Sequence, residues 1–301
     1  MTARRRRRAR LGWLLVAAAF CVVFGVGAVA TNTLGAGDKF DRLVAKVDRF
    51  LAGPVPDRST LPTVEVTPQP SVAPTPRPSL RPGATPTPAP TPAPRVPVDV
   101  TVVQKPKDVF ISELRNTWCA PAGIQMTLAS LGLADNSERF QRVLVSRVHE
   151  WEAYSDSHNG GWGPAAMAQA LAAYGAPGYQ VRAYAARADA LRDAAVAIEK
   201  TGSPAILIAW YGAHTWVMTG YRADADPATF PDAVVSGTYI LDPWYPRISS
   251  IWGKSDPPGT FQDAAEMKRN FVPWKMPEGR YPKRDGKFII VVPTIPFTAP
   301  H

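Results

Sequence analysis

Three side chains far apart in the chain have the types and settings that acyl-transfer chemistry needs. Cys119 lies in Asn116-Thr117-Trp118-Cys119-Ala120-Pro121-Ala122-Gly123, and the pattern predicts a helix that starts at this cysteine. A thiol in the first turn of a helix faces unpaired N–H groups and the positive end of the helix dipole, and both favour thiolate. His214 follows Gly212-Ala213 and opens the run Thr215-Trp216-Val217-Met218-Thr219-Gly220-Tyr221. An imidazole at the head of a strand can stand over a cleft as general base to a thiol. Asp242 closes the run Tyr239-Ile240-Leu241 just before Pro243, where a carboxylate can hold the imidazole in one tautomer. Each residue alone has a plainer reading: a small buried hydrophobe, a surface histidine, a turn-starting Asp-Pro. Together they make a nucleophile, a base and an orienting acid.

The elements that must position them alternate between helical and strand periodicity. Helices are expected over Cys119–Leu131, with Gly132 as stop, from Asp135 to about His149, over Pro164–Tyr174 and over Arg187–Lys200. Asp135 with Glu138 is read as a capping-box start. Strand-like runs follow at Ala205–Trp210, Thr215–Tyr221, Thr238–Leu241 and Phe288–Val292. Helices first and strands later predict an α+β domain over residues 98–301, an antiparallel sheet packed on a helical half.

The rest of the chain reads as an address and a tether. The net charge of +9 suggests a nucleic-acid partner until it is located. Residues 1–97 hold 14 Lys/Arg against 5 Asp/Glu, whereas residues 98–301 hold 20 of each, so the domain carries no basic excess and no nucleic-acid partner is expected. Arg4 to Arg8 and Arg10 form a basic segment, residues 1–10, ahead of an uncharged and mostly apolar run over residues 11–30. About 20 such residues span a hydrocarbon core, and positive charge stays on the cytoplasmic side. The expectation is therefore an extracytoplasmic protein, either membrane-anchored through this helix in a type II orientation or secreted after cleavage as a signal peptide near Ala28-Val29-Ala30. Of two cysteines, Cys21 lies inside this run and bulky Phe20 precedes it, which argues against a lipoprotein site. Cys119 then stands alone outside, with no intramolecular disulfide to form.

Residues 31–53 include an amphipathic helix with Phe40, Leu43, Val44, Val47, Phe50 and Leu51 at helical spacing. Residues 54–97 contain 15 prolines in 44 residues and read as an extended linker, about 3.1 Å per residue, holding the domain off the membrane.

The local strings around the three candidate residues sharpen the picture. Trp118-Cys119-Ala120-Pro121-Ala122, His214-Thr215-Trp216-Val217 and Tyr239-Ile240-Leu241-Asp242-Pro243 resemble the papain-like cysteine peptidases, in particular exported relatives of the bacteriocin-processing (double-glycine leader) peptidase-like family of bacteria. The resemblance covers about residues 105–295. It implies a papain-like fold, thiol chemistry on amide bonds, no cofactor and no metal, with Cys119 as nucleophile, His214 as base and Asp242 as orienting acid. The family has a Gln six residues before the Cys, donating to the oxyanion; Glu113 stands there. Losing one such donor costs roughly 2.7–4 kcal/mol, or about 10²–10³ in rate.

Other features are weighed against this frame. Asn116, Trp118, Trp162, Trp216 and Trp244 are candidate cleft residues. The 28-position spacing from His214 to Asp242, with Asp224-Ala225-Asp226-Pro227 and Pro231 between them, reads as an inserted loop near the cleft, lacking the glycine of a calcium loop. His149 and His158 beside Glu150, Glu152 and Asp156 lack zinc-site spacing. Gly160-Gly161-Trp162-Gly163 reads as the entry turn to the helix at Pro164, since a phosphate loop would continue with Lys and Ser or Thr. Trp244, Tyr245, Trp252 and Trp274 make a substrate wall or packing, and Lys268-Arg269 and Lys283-Arg284 read as surface charge.

The expected activity is an exported thiol hydrolase acting on peptides or proteins. Two alternatives stay open: a cell-wall amidase or endopeptidase acting on cell-wall peptides, and a catalytically degenerate module that binds peptides, the latter favoured by Glu113.

Overall fold

The computed structural model describes residues 20–31, 33–67, 94–157 and 161–298. Two units are distinguished: residues through Pro54 with Arg115–Thr117, and Val55–Leu114 with Trp118–His301. In the first unit residues 20–30 are helical, and helix α1 spans Ala36–Ala52 and ends at Gly53 with φ 80°. Phe40, Leu43, Val47 and Phe50 of α1 are exposed and recur at three- and four-residue steps, the stripe expected from the sequence. Residues 1–10 and 11–19 of the expected basic segment and membrane helix lie outside the described residues. Among the described residues no helix is long and apolar enough to cross a membrane.

The second unit is an α+β arrangement around a mixed sheet. In chain order its strands are β1 (Thr63–Val66), β2 (Val98–Thr101), β3 (Tyr179–Tyr184), β4 (Ala205–Ala209), β5 (His214–Ala223), β6 (Val235–Leu241), the short pair β7 (Ile248–Ser249) and β8 (Gly253–Lys254), β9 (Thr260–Asp263) and β10 (Phe288–Pro293). The main sheet runs β1-β3-β10-β4-β5-β6-β9. Only β1 with β3 is parallel among its pairings; the others are antiparallel. β4 pairs with the first half of β5, at positions 214–218, and β2 pairs with the second half, at 220–223.

The helices are α2 (Cys119–Ser130), α3 (Glu138–Ser146), α4 (Pro164–Ala173), α5 (Arg187–Thr201) and α6 (Ala264–Asn270). α2 buries every residue from Ala120 to Leu128. A helix apolar on all sides belongs inside, so α2 packs centrally with α4 against one face of the sheet, through Ile124, Leu128, Leu171, Val181, Ile206, Ile289 and Val291. α5 covers the opposite face, where Ala194 and Ile198 meet Leu207, Met218, Ile290 and Val292. Burial on both faces explains why β4 and β10 read as unbroken apolar runs rather than alternating ones. α3 starts not at a capping box with Asp135 but at Ser137, whose hydroxyl accepts from the Phe140 N–H at 3.2 Å; Asp135 accepts from the Ser137 N–H.

The stretch read as a linker from Pro54 is partly built into this unit. β1 pairs with β3 along its length, and Arg284 donates to the Thr63 hydroxyl at 3.0 Å. Arg58 donates to the carbonyls of Glu150 and His149, and the Tyr154 N–H donates to the Pro56 carbonyl. Strand pairing resumes at Val98 in β2. The Pro-rich residues 68–93 lie outside the described residues, but the chain on both sides of them is strand in the same sheet.

Two further expectations are corrected. Arg284 is not surface charge: it is 4 % exposed and pairs with Asp156, itself 1 % exposed. Asp156 also accepts from the Ala165 and Ala166 N–H groups at the start of α4, where a carboxylate meets the positive helix end. The loop Asp224–Val234 does not lie near His214. β5 and β6 are antiparallel, so the loop sits at the far end of β5, about 30 Å along a ten-residue strand. The 28-residue spacing is simply the hairpin, and Arg95 braces its tip against Asp224 and Asp232.

Removing one partner of a buried ion pair leaves an uncompensated charge. Asp156→Ala is expected to lower unfolding free energy by about 3–5 kcal/mol, read as a fall in urea midpoint; an unchanged midpoint contradicts this role.

Candidate active site

The three acyl-transfer candidates meet at one end of β5. His214 is its first residue, Asp242 follows the last residue of the neighbouring antiparallel β6, and Cys119 opens α2, which lies across β5. Antiparallel pairing aligns the start of β5 with the end of β6. His214 Nε2 and Asp242 Oδ1 are 2.7 Å apart, both residues buried. The same carboxylate oxygen accepts from the Trp244 N–H at 2.8 Å, which fixes it from the chain just beyond β6. With Nε2 engaged, Nδ1 is the ring nitrogen left for the thiol. The Cys119 sulfur, a His214 ring nitrogen and a Glu113 carboxylate oxygen all lie within 4.8 Å of one another.

A glycine permits this approach. A Cβ on Gly123, one turn after Cys119, would sit 2.6 Å from Thr215 Cγ2, beside His214. At this level α2 therefore puts no side chain of its own between its backbone and the Thr215 side chain of β5.

The surroundings of the thiol work against the thiolate expected from its helix. Burial first, and then the negative charge of Glu113, push the Cys119 thiol up to about 12. The Thr215 side chain and the N–H groups of Ala120 and Thr215 act in the opposite direction but are outweighed. Desolvation and an adjacent anion thus work against the helix end at this sulfur. The sulfur is 3.8 Å from the Ala213 carbonyl. Cys119 nevertheless remains only half-buried.

Glu113 occupies the position expected from its spacing before Cys119, and its setting is rigid. It is 1 % exposed. Its N–H donates to the Pro243 carbonyl at 2.9 Å, and Arg247 donates to its carbonyl at 2.7 Å and to Oε1 at 3.2 Å. Arg247 was not singled out from the sequence; only its neighbours Trp244 and Tyr245 had drawn notice.

The candidate cleft residues separate. Trp118 is the half-buried N-cap residue of α2, and Asn116 lies in the turn before it. Trp244 stands edge-on to Trp210 at 6.3 Å, with the Arg247 guanidinium over its ring. Trp162 instead packs on Trp151 at 5.8 Å against the helical core. Trp216 is 3 % exposed and belongs to the core against α5. Trp162 is thus part of the core packing, whereas Trp216 also lines a pocket with Trp210, Trp252 and Asp242. Trp274 is buried beside Tyr281.

The aromatic that matters most was read as a strand end. Trp210 stacks on the His214 ring with centroids 3.9 Å apart and planes 16° off parallel. Trp252 stacks on its other face at 5.5 Å, and the Trp210 indole N–H donates to Asn270 at 3.0 Å. Trp210 and Tyr211 have φ of 52° and 61°, left-handed values that non-glycine residues rarely adopt and that often mark functional sites. Nothing in the sequence signals that turn. It lays a ring over the imidazole.

The acidic residues near His149 have structural partners: Glu150 pairs with Arg147, Glu152 accepts from the Gly161 N–H, and Asp156 pairs with Arg284. His158 lies outside the described residues. Compared with protein-family models, curated proteins and solved structures, the chain matches none of them.

Two outcomes follow. Gly123→Ala is expected to destabilise by about 1–3 kcal/mol through overpacking against Thr215, read by urea unfolding. Glu113→Gln removes a negative charge beside the sulfur, so the pH profile of Cys119 alkylation should move to lower pH, with about tenfold more thiolate per pH unit moved. An unmoved profile would show that Glu113 does not act on the thiol.

Proposed function

We propose that this chain is an exported thiol hydrolase of papain-like type that cuts peptide bonds. The observation that carries this reading is the 2.7 Å bond between His214 Nε2 and Asp242 Oδ1, with the Cys119 sulfur beside the same imidazole. Support for the papain-like comparison comes from the order and setting of the three residues: a cysteine opening a buried helix, then a histidine and an aspartate on adjacent antiparallel strands. Support for export and a membrane tether comes from the arginine cluster ahead of residues 11–30, and from the exposed Phe20, Val23 and Phe24 on the helical residues 20–30.

In this mechanism the thiol stays protonated at rest. As sulfur attacks the carbonyl carbon, His214 takes the proton on Nδ1, and Asp242 stabilises the imidazolium through Nε2. The imidazolium then protonates the leaving amine, and water, activated by the same base, hydrolyses the thioester. The weak point is the oxyanion. An ionised Glu113 accepts hydrogen bonds and donates none, so the N–H of Cys119 is the donor the helix start can offer.

That same residue favours a second reading, a peptide-binding module that no longer turns over. One set of assays separates them, using a peptide library with purified cell-wall sacculi beside it for the amidase alternative. Under the hydrolase reading, Cys119→Ala and His214→Ala abolish cleavage, and Asp242→Asn lowers it by up to about 10⁴-fold. Cleavage that survives Cys119→Ala rules the hydrolase out. A wild type that binds without cutting, together with a Glu113→Gln variant that cuts, establishes the binding module instead.

A further inference from the structure

The carboxylate that weakens an oxyanion hole has the chemistry of a metal ligand. We infer that Glu113, Cys119 and His214 form a three-residue site for a zinc-class divalent cation that reversibly caps the thiol. The inference rests on the proposed function only in that both use the same sulfur and imidazole.

Two observations support it. The first is placement: one thiol sulfur, one imidazole nitrogen and one carboxylate oxygen lie within 4.8 Å of each other. Ligand atoms around a tetrahedral zinc, at 2.0–2.3 Å from it, stand about 3.3–3.8 Å apart, so shifts of roughly 1 Å complete the geometry. The second is the surrounding shell. A metal-bound histidine characteristically gives its other ring nitrogen to a carboxylate, and His214 does so to Asp242 at 2.7 Å. The Glu113 carboxylate is held by Arg247 and its backbone by Pro243, so it is positioned before any ion arrives.

The donor set selects the ion. Sulfur and imidazole suit zinc, cobalt or copper, whereas magnesium and calcium take oxygen ligands. Three protein ligands leave a fourth position, and the half-buried state of Cys119 leaves it accessible to water or a substrate group. Binding releases one proton, that of the Cys119 thiol, and nothing is oxidised or reduced. With its lone pair on the metal, the sulfur can neither attack a carbonyl nor be alkylated.

The test uses the full chain in detergent, reduced and stripped with a chelator, titrated with cobalt(II) and then with zinc(II). The expected result is a saturable thiolate-to-cobalt absorption at one equivalent per chain, displaced by zinc, with Cys119 protected from iodoacetamide at saturation. Cys119→Ser should abolish the band, which also excludes the other thiol, Cys21, as its source. Glu113→Gln should weaken zinc binding at least about tenfold; should that variant unfold, His214→Ala supplies the same comparison. Absence of a stoichiometric band, binding undiminished in Cys119→Ser, or undiminished alkylation at saturating zinc overturns the inference. Peptide hydrolysis by the stripped chain is read separately. Cleavage without a cobalt spectrum leaves the hydrolase and removes the metal site, and a spectrum without cleavage does the reverse.

Discussion

Everything at the candidate site depends on how closely helix α2 lies against strand β5. Sulfur and imidazole come from residues 95 positions apart in the chain, and neither side chain is long enough to bridge a normal helix-to-sheet gap of about 10 Å. Contact at Gly123 and Thr215 removes that gap. The apolar burial of Ala122 and Met126 against Val217 and Leu241 holds it closed. The site is thus a by-product of core packing, and its geometry is as firm as the core. β6 adds the rest by antiparallel pairing, which puts Asp242 at the level of His214 without any further device.

Around that fixed frame, charge decides the chemistry. Trp210 stacks on the His214 imidazole and Trp252 stacks on Trp210, and both His214 and Asp242 are buried, where each charge counts for more. Burial first, and then the negative charge of Glu113, oppose ionisation of the Cys119 sulfur. Arg247 balances Glu113 from the side away from the helix core, but its guanidinium remains one-third exposed and is partly screened by water. The pocket as a whole therefore favours a cation or a proton near the sulfur.

What could be read from the sequence, and what could not, follows from how far each signal reaches. Helices α2, α4 and α5 announce themselves through local punctuation: Gly132, Gly175 and Gly202 close or follow them with φ of 73°, 93° and 67°. The order Cys119, His214, Asp242 was legible because each sits at an element boundary marked by Pro or Gly. β1 and β3 escaped notice, since Thr63-Val64-Glu65-Val66 lies among prolines and Tyr179–Tyr184 carries Gln180 and Arg182 at its half-buried positions. Trp210 and Arg247 escaped for a different reason: their roles come from tertiary contact alone. A left-handed turn on Trp210-Tyr211 has no local marker, and Arg284 looks like surface charge until Asp156 is found facing it. The inserted-loop expectation failed because a residue count between His214 and Asp242 says nothing of direction, whereas a hairpin carries its tip away from both.

The strands on either side of the Pro-rich tract change what that tract can do. Because Thr63–Val66 and Val98–Thr101 both belong to one sheet, the intervening stretch connects two strands of the same folded body. A protease that cut among the intervening prolines would leave two pieces held together by hydrogen-bonded strands and the Arg284–Thr63 contact, eluting as one species until denatured. Shedding the folded body requires a cut upstream of the first strand.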